Sequence, residues 1–198
     1  MTHPESPTAP ATALHPRLAA LAAVLDEARR ELLDAAHEIP PAARTARPTP
    51  DRWSAAEVLE HLAKVEDQSG RLFSVGARGL RESGATHEQD NEASAIIEGF
   101  SRFRVDTRLR AVEAPEMVAP SADANFDAAL IALAATRARL LASMHKASGL
   151  ALSEASAPHP RLGPLTLYEW LLMIARHEQR HAGQLREIRA TFAEEYDA

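Results

Sequence analysis

Apolar side chains recur at helical spacing in four separate stretches of the chain, at residues 14–35, 54–73, 126–144 and 165–192, the second continuing at least to residue 73. In each stretch they fall three or four positions apart, which places them on one face of an α-helix. Proline-rich segments separate the first two stretches and the last two, and proline cannot continue the interior of a helix. No stretch shows the strict alternation of a β-strand. The pattern therefore predicts an all-α protein, a four-helix bundle.

The starts of the second and fourth helices carry the same capping pattern. Ser54 precedes Glu57 by three residues, and Thr166 precedes Glu169 by three. A serine or threonine in that position accepts a hydrogen bond from the backbone N–H of the glutamate, whose side chain accepts one from the backbone of the cap. We therefore predict helix starts at Ser54 and Thr166.

Two parts of the chain lack helical periodicity. Residues 1–13 are rich in proline, threonine and alanine and predict a disordered tail, so that residues 14–198 form a single domain. Residues 83–125 contain scattered glycine, asparagine, aspartate and proline, and predict a long crossover between the second and third helices with room for one short helix. The helices that such a crossover joins need not be antiparallel neighbours.

The composition argues against several classes of function. Acidic residues outnumber basic ones 28 to 22, so a basic surface that binds phosphate backbones is not expected, nor is nucleic acid as a partner. No run approaches the roughly 20 apolar residues of a membrane-spanning helix, and the N-terminus lacks the layout of a signal peptide. We expect a soluble, cytoplasmic protein without a membrane partner. The sequence has no cysteine, which excludes a disulfide, a thiolate metal ligand and a cysteine nucleophile of its own.

Three histidines occupy positions where the helical pattern calls for apolar residues. His61 lies in the apolar stripe of the second helix, and His177 and His181 lie in the stripe of the fourth. His177 and His181 are one turn apart, so their imidazoles can bind one ion at about 2.0–2.1 Å. His61 is the other histidine whose helical phase points to the core, which makes it the candidate third ligand. Three neutral imidazoles leave one coordination position for water or substrate, as in catalytic metal sites.

Other interpretations of these and neighbouring side chains stay open. The pattern alone does not distinguish a metal site from three hydrogen-bonded core histidines. Glu178 and Arg180 flank the ligand pair, and their helical phase predicts solvated surface. Arg137 takes an apolar position of the third helix, where it can bind the carboxylate of a substrate, although the pattern favours either snorkelling to the surface or a structural ion pair. The remaining histidines are weaker candidates because they lie in the tail, in connections or off the stripes: His3, His15, His37, His87, His145 and His159.

The two histidine segments together resemble those of the DinB-like superfamily. One segment is Trp-Ser-Ala-Ala-Glu-Val-Leu-Glu-His-Leu at residues 53–62, and the other is His-Glu-Gln-Arg-His-Ala-Gly-Gln-Leu-Arg-Glu-Ile at residues 177–188. This superfamily includes bacillithiol S-transferases, mycothiol-dependent maleylpyruvate isomerases and many uncharacterised helical bundles. The resemblance extends over nearly the whole folded chain. It implies a four-helix bundle, forming a homodimer, with one metal ion held by His61, His177 and His181.

The resemblance also implies a class of chemistry. A divalent metal ion, Zn²⁺ or Ni²⁺, would assist the transfer of a low-molecular-weight thiol to a small electrophile, and the thiol would enter as a co-substrate. The alternative is a non-catalytic, metal-stabilised bundle that acts as a binding protein in stress response. A third alternative, direct DNA processing, follows only from the name of the superfamily, and the acidic charge balance argues against it.

Overall fold

Five α-helices and one short β-hairpin form the described part of the chain, which comprises residues 13–84, 87–108 and 114–196 of this computed structural model. Four helices are long: α1 (Pro16–His37), α2 (Ala55–Glu82), α4 (Phe126–Lys146) and α5 (Leu167–Tyr196). The short helix α3 (Ser94–Phe100) lies in the crossover between α2 and α4. The prediction of an all-α four-helix bundle with a long crossover is confirmed. The predicted tail lies outside the described residues except for residue 13.

The long crossover makes α2 and α4 parallel neighbours. Thr136 donates a hydrogen bond to Glu66 at 2.7 Å, and Ser74 donates one to Ser143 at 2.8 Å, so contacts advance in the same direction along both helices. Helices α1 and α5 are paired in the same parallel sense. The chain therefore runs up, down, down and up through the bundle. Two consecutive helices can be parallel only if their connection returns along the whole length of the bundle, and the crossover is such a connection.

The apolar core is divided into two clusters along the bundle. One cluster joins the N-terminal parts of α1 and α5 to the C-terminal parts of α2 and α4, and its large side chains include Phe73, Leu140, Met144 and Tyr168. The other cluster joins the opposite ends of the same helices and includes Leu32, Leu59, Leu133 and Ile188. Along the described helices, no segment is both long and apolar enough to cross a bilayer.

A layer of four charged side chains separates the two apolar clusters, with one residue from each long helix. Arg29 of α1 donates to Glu66 of α2 at 2.6 Å, and Arg137 of α4 donates to Glu66 at 2.6 Å and to Glu178 of α5 at 3.1 Å. All four residues are at least nine-tenths buried. Arg29 and Arg137 also donate to backbone carbonyl groups, so their remaining N–H groups find acceptors. We call this group, Arg29, Glu66, Arg137 and Glu178, the charge layer.

The charge layer corrects one prediction and bears out another. Glu178 was expected on solvated surface, and this is wrong because α5 is covered by α1 on one side and by α2 on another. Burial raises the pKa of Glu178, although the guanidinium groups of Arg137 and Arg29 oppose that shift. Arg137 forms the structural ion pair that its apolar position favoured.

Both predicted helix caps are present. The Ser54 hydroxyl accepts from the Glu57 backbone N–H at 3.3 Å, and the Glu57 carboxylate accepts from the Ser54 N–H at 2.8 Å. Thr166 and Glu169 make the same reciprocal pair at 3.3 and 2.9 Å. The two helices that carry the inward histidines thus begin where the sequence predicted.

The hairpin is an element that the hydrophobic pattern did not predict. Strands β1 (Ser156–His159) and β2 (Gly163–Thr166) pair antiparallel, with Ser156 opposite Thr166 and His159 opposite Gly163. Gly163 has a φ of +79°, a left-handed conformation that favours glycine at the turn. The strands are short, contain proline and expose half of their residues, so no alternation of apolar and polar positions marks them.

Removing one arginine of the charge layer should destabilise the protein strongly. Arg137→Met leaves two buried carboxylates with too few donors, and we expect a loss of about 3–5 kcal/mol in the free energy of unfolding, measured by urea denaturation. Arg139→Met is the matched control, because Arg139 lies on the same helix and pairs with Asp67 at an exposed position. The control should lose less than about 1 kcal/mol. Equal losses in the two variants would show that the charge layer does not organise the core.

Candidate metal centre

The candidate centre lies where α2 and α5 face one another. His61 follows the Ser54 cap by two helical turns, and His177 and His181 lie one turn apart near the middle of α5. His61 and His181 are 4% and 6% exposed, and His177 is half-buried. The phases of the two helices therefore bring together the three histidines that the sequence selected.

The three imidazole rings form a compact triangle. The ring centroid of His61 lies 5.2 Å from that of His177 and 5.1 Å from that of His181, and the His177 and His181 centroids are 4.6 Å apart. One nitrogen of each ring lies within 4.8 Å of the nitrogens offered by the other two. Within the described residues, this is the one group of three or more histidine, cysteine or acidic side chains with such a spacing. Three histidines so placed could hold a metal ion.

Hydrogen bonds at Nδ1 orient two of the rings. His61 Nδ1 lies 2.8 Å from the backbone oxygen of Val118, and because a carbonyl oxygen only accepts, Nδ1 carries the proton. His181 Nδ1 lies 2.8 Å from the side-chain oxygen of Gln184. In His61 the proton on Nδ1 leaves the lone pair on Nε2. Such outer hydrogen bonds are typical of histidines that bind metals.

The third ring, His177, is held differently. Its Nε2 lies 3.1 Å from Nε2 of His181. Its Nδ1 is buried and has no hydrogen-bond partner among the described residues. Two imidazole nitrogens at this separation repel unless they share a proton or a cation. Two ligands at about 2.1 Å from a common ion would be roughly 3.0–3.4 Å apart, so the pair already has the spacing of two ligands.

The environment keeps all three imidazoles neutral. Burial lowers the pKa of His61, and the charge of nearby Lys64 adds to this, although the bond to Val118 opposes it. Burial, reinforced by His61, lowers the pKa of His177 to about 3. Burial and the neighbouring His177 hold the pKa of His181 well below its usual value. The neutral form is the one that binds metal, so the donor set of three uncharged nitrogens fits a borderline divalent ion.

The crossover contributes to the centre, which the sequence did not reveal. Val118 ends the short 3₁₀ turn Glu116–Val118, and this turn is fastened to α2 by Lys64, which donates to the oxygen of Ala119 at 2.8 Å. On the other side of His61, the ring of Trp53 lies 4.9 Å from the imidazole. No residue type marks a backbone carbonyl as a partner, so Val118 carried no signal. Gln184 carried one, because it lies three residues after His181 on the same helix.

The weaker candidates are not members of the triangle. His37, His87 and His145 are exposed, and His15 precedes α1 as its cap residue. The ring of His159, in β1, packs on Trp170 with centroids 5.4 Å apart. Arg180, expected on solvated surface, is half-buried. His3 lies outside the described residues.

Fold and centre together define a class: four-helix bundles with a three-histidine candidate metal site between two helices. The chain belongs to the DinB superfamily, whose family model matches residues 24–185. The matched range contains all three histidines, the whole of α2 and α4, and the greater part of α1 and α5.

Individual relatives are distant but cover most of the chain. The uncharacterized protein YuaE of Bacillus subtilis (strain 168) is 23% identical over 170 residues, which span 84% of this chain and 95% of YuaE. The crystal structure of TT2238, a four-helix bundle protein, matches with a TM-score of 0.53 and 22% identity. That match covers 86% of this chain and 98% of TT2238, and it supports the fold.

Proposed function

We propose that His61, His177 and His181 hold one divalent ion, Zn²⁺ or Ni²⁺, and that the protein is a metal-dependent enzyme. The observation that carries this proposal is the convergence of three neutral ring nitrogens at a spacing suited to one ion. Among the described residues, no carboxylate or further histidine joins them. A set of three protein ligands leaves a position for substrate, which is the arrangement of catalytic rather than structural sites.

The chain's own residues prepare the site for this chemistry. The carbonyl of Val118 accepts from Nδ1 of His61 and so leaves the lone pair of that ring on Nε2, and Trp53 packs against the ring. Burial keeps the imidazoles uncharged. When bound, the ion would supply Lewis acidity that lowers the pKa of a thiol or water molecule beside it.

We propose a low-molecular-weight thiol as the co-substrate. The whole sequence contains no cysteine, so the protein cannot supply a thiol nucleophile of its own. In the proposed reaction the thiol loses its proton to solvent, and its sulfur forms a bond to an electrophilic carbon. If a group is displaced from that carbon, it leaves with the electron pair of the bond that breaks. If the carbon belongs to a double bond, the π bond breaks instead, and its electron pair moves to the far atom, which takes up a proton from solvent. Membership of the DinB superfamily supports this direction without identifying the substrate.

A second candidate is a metal-stabilised binding protein without catalysis. The burial of His61 and His181 favours it, because structural metal sites are closed to solvent. The packing of the bundle argues against a purely structural metal. Two apolar clusters and the charge layer join all four long helices, so the fold has sources of stability besides the candidate centre.

We expect one Zn²⁺ or Ni²⁺ per chain in the wild-type protein, measured by elemental analysis of untagged protein and by calorimetric titration. His177→Ala and His61→Ala should each abolish this binding, because two imidazoles cannot retain the ion against chelator. His145→Ala is the matched control, since His145 is an exposed histidine at the end of α4. Metal binding that survives in His177→Ala would overturn the assignment.

The metal-free protein should remain folded. Because the apolar clusters and the charge layer hold the helices together, chelation should leave the helical circular dichroism unchanged and the thermal transition cooperative. Loss of the cooperative transition on chelation would instead favour the structural role of the metal.

Activity should depend on the triangle of histidines. Protein loaded with Zn²⁺ or Ni²⁺ is assayed with bacillithiol, mycothiol and glutathione against a panel of small electrophiles. We expect His177→Ala to reduce turnover by more than about 100-fold, beyond the effect typical of an outer hydrogen-bond partner. If no thiol is transferred by the loaded wild-type protein, the thiol-transfer proposal is wrong.

A further inference from the structure

The orientation of His181 depends on more than its bond to Gln184. A neutral imidazole can donate from Nδ1 or accept there, and a glutamine amide can present either its oxygen or its NH₂ group. The pair is therefore compatible with two arrangements, and in one of them the Nε2 of His181 carries the proton and cannot bind metal. A third group must decide between them.

Arg108 is the group that determines which of the two arrangements forms. Its Nη1 lies 3.3 Å from Oε1 of Gln184, the same oxygen that lies 2.8 Å from Nδ1 of His181. A guanidinium group only donates, so it requires the amide oxygen, and not the NH₂, on its side. The shared oxygen then accepts from Nδ1 of His181, and Nε2 is left with its lone pair facing His177.

The position of Arg108 is itself well defined. Its Nε and Nη2 bind the two carboxylate oxygens of Glu187 at 2.7 and 2.8 Å, and Glu187 also accepts from Arg52 at 2.8 Å. The arginine stem crosses α5 at Gly183, where a Cβ atom would lie 3.3 Å from Cδ of Arg108. A bidentate pair and a passage over glycine thus hold the guanidinium against Gln184.

We infer that Arg108 is a positioning residue, which acts through the Gln184 amide to select the tautomer of His181 that can bind a metal ion. The inference rests on the proposed function, because the tautomer of His181 matters only if this residue binds a metal ion. The tautomer itself can be measured without any metal. His61 offers a contrast, because its tautomer is set by a backbone carbonyl that no substitution removes. His181 is therefore the ligand whose orientation side chains can alter.

The test uses metal-free protein with ¹⁵N-labelled histidine, in which long-range ¹H–¹⁵N correlation distinguishes the two tautomers at neutral pH. In the wild type we expect His181 to be protonated at Nδ1 alone. In Arg108→Met the Gln184 amide can turn over, so both tautomers should be populated and the Kd for Zn²⁺ should rise about 10-fold or more. Arg52→Met is the matched control, since it removes the other arginine on Glu187 and should change neither quantity.

A rescue experiment separates positioning from a general structural effect. A carboxylate, like the oriented amide oxygen, can only accept, so Arg108→Met combined with Gln184→Glu should restore the Nδ1-protonated tautomer and the Zn²⁺ affinity. An unchanged tautomer in Arg108→Met, or an equal change in Arg52→Met, would overturn the inference. A tautomer that changes as expected in a protein whose wild type binds neither Zn²⁺ nor Ni²⁺ would support Arg108 as a positioning residue and refute the metal proposal.

Discussion

The charge layer is the constraint on which the arrangement of this bundle depends. Arg29, Glu66, Arg137 and Glu178 come from four different helices and have little access to water. Apolar side chains can exchange neighbours at small cost, whereas a buried charge that loses its partner costs several kcal/mol. Turning or sliding any one helix would leave such a charge unpaired. The layer therefore contributes mainly to the specificity of the fold, because it sets the rotation of every long helix about its axis and its position along the bundle.

The same constraint positions the candidate centre. Glu178 follows His177 directly in α5, and Glu66 lies little more than one turn beyond His61 in α2. When the two glutamates are held by the arginines of α1 and α4, the facing surfaces of α2 and α5 are set as well. This packing brings the imidazoles of His61, His177 and His181 together.

Around the triangle, two of the imidazoles make hydrogen bonds that orient them. His61 is held by Val118 of the crossover, and His181 by Gln184, whose amide faces Arg108. The long crossover therefore has a second function besides joining two parallel helices. Its backbone oxygen at Val118 accepts a hydrogen bond from His61, and its Arg108 side chain donates to Gln184 and Glu187 of α5.

The sequence by itself determined the four long helices, both capped starts and the three inward histidines, because periodicity and capping act within a few residues. It failed for Glu178, since a helical wheel shows one stripe and α5 buries more than one face. Only the tertiary structure decided that α2 and α4 are parallel, that Arg137 meets Glu66 71 residues away, and which groups orient His61 and His181. Those contacts depend on the relative height and rotation of whole helices, which packing sets and no local pattern encodes.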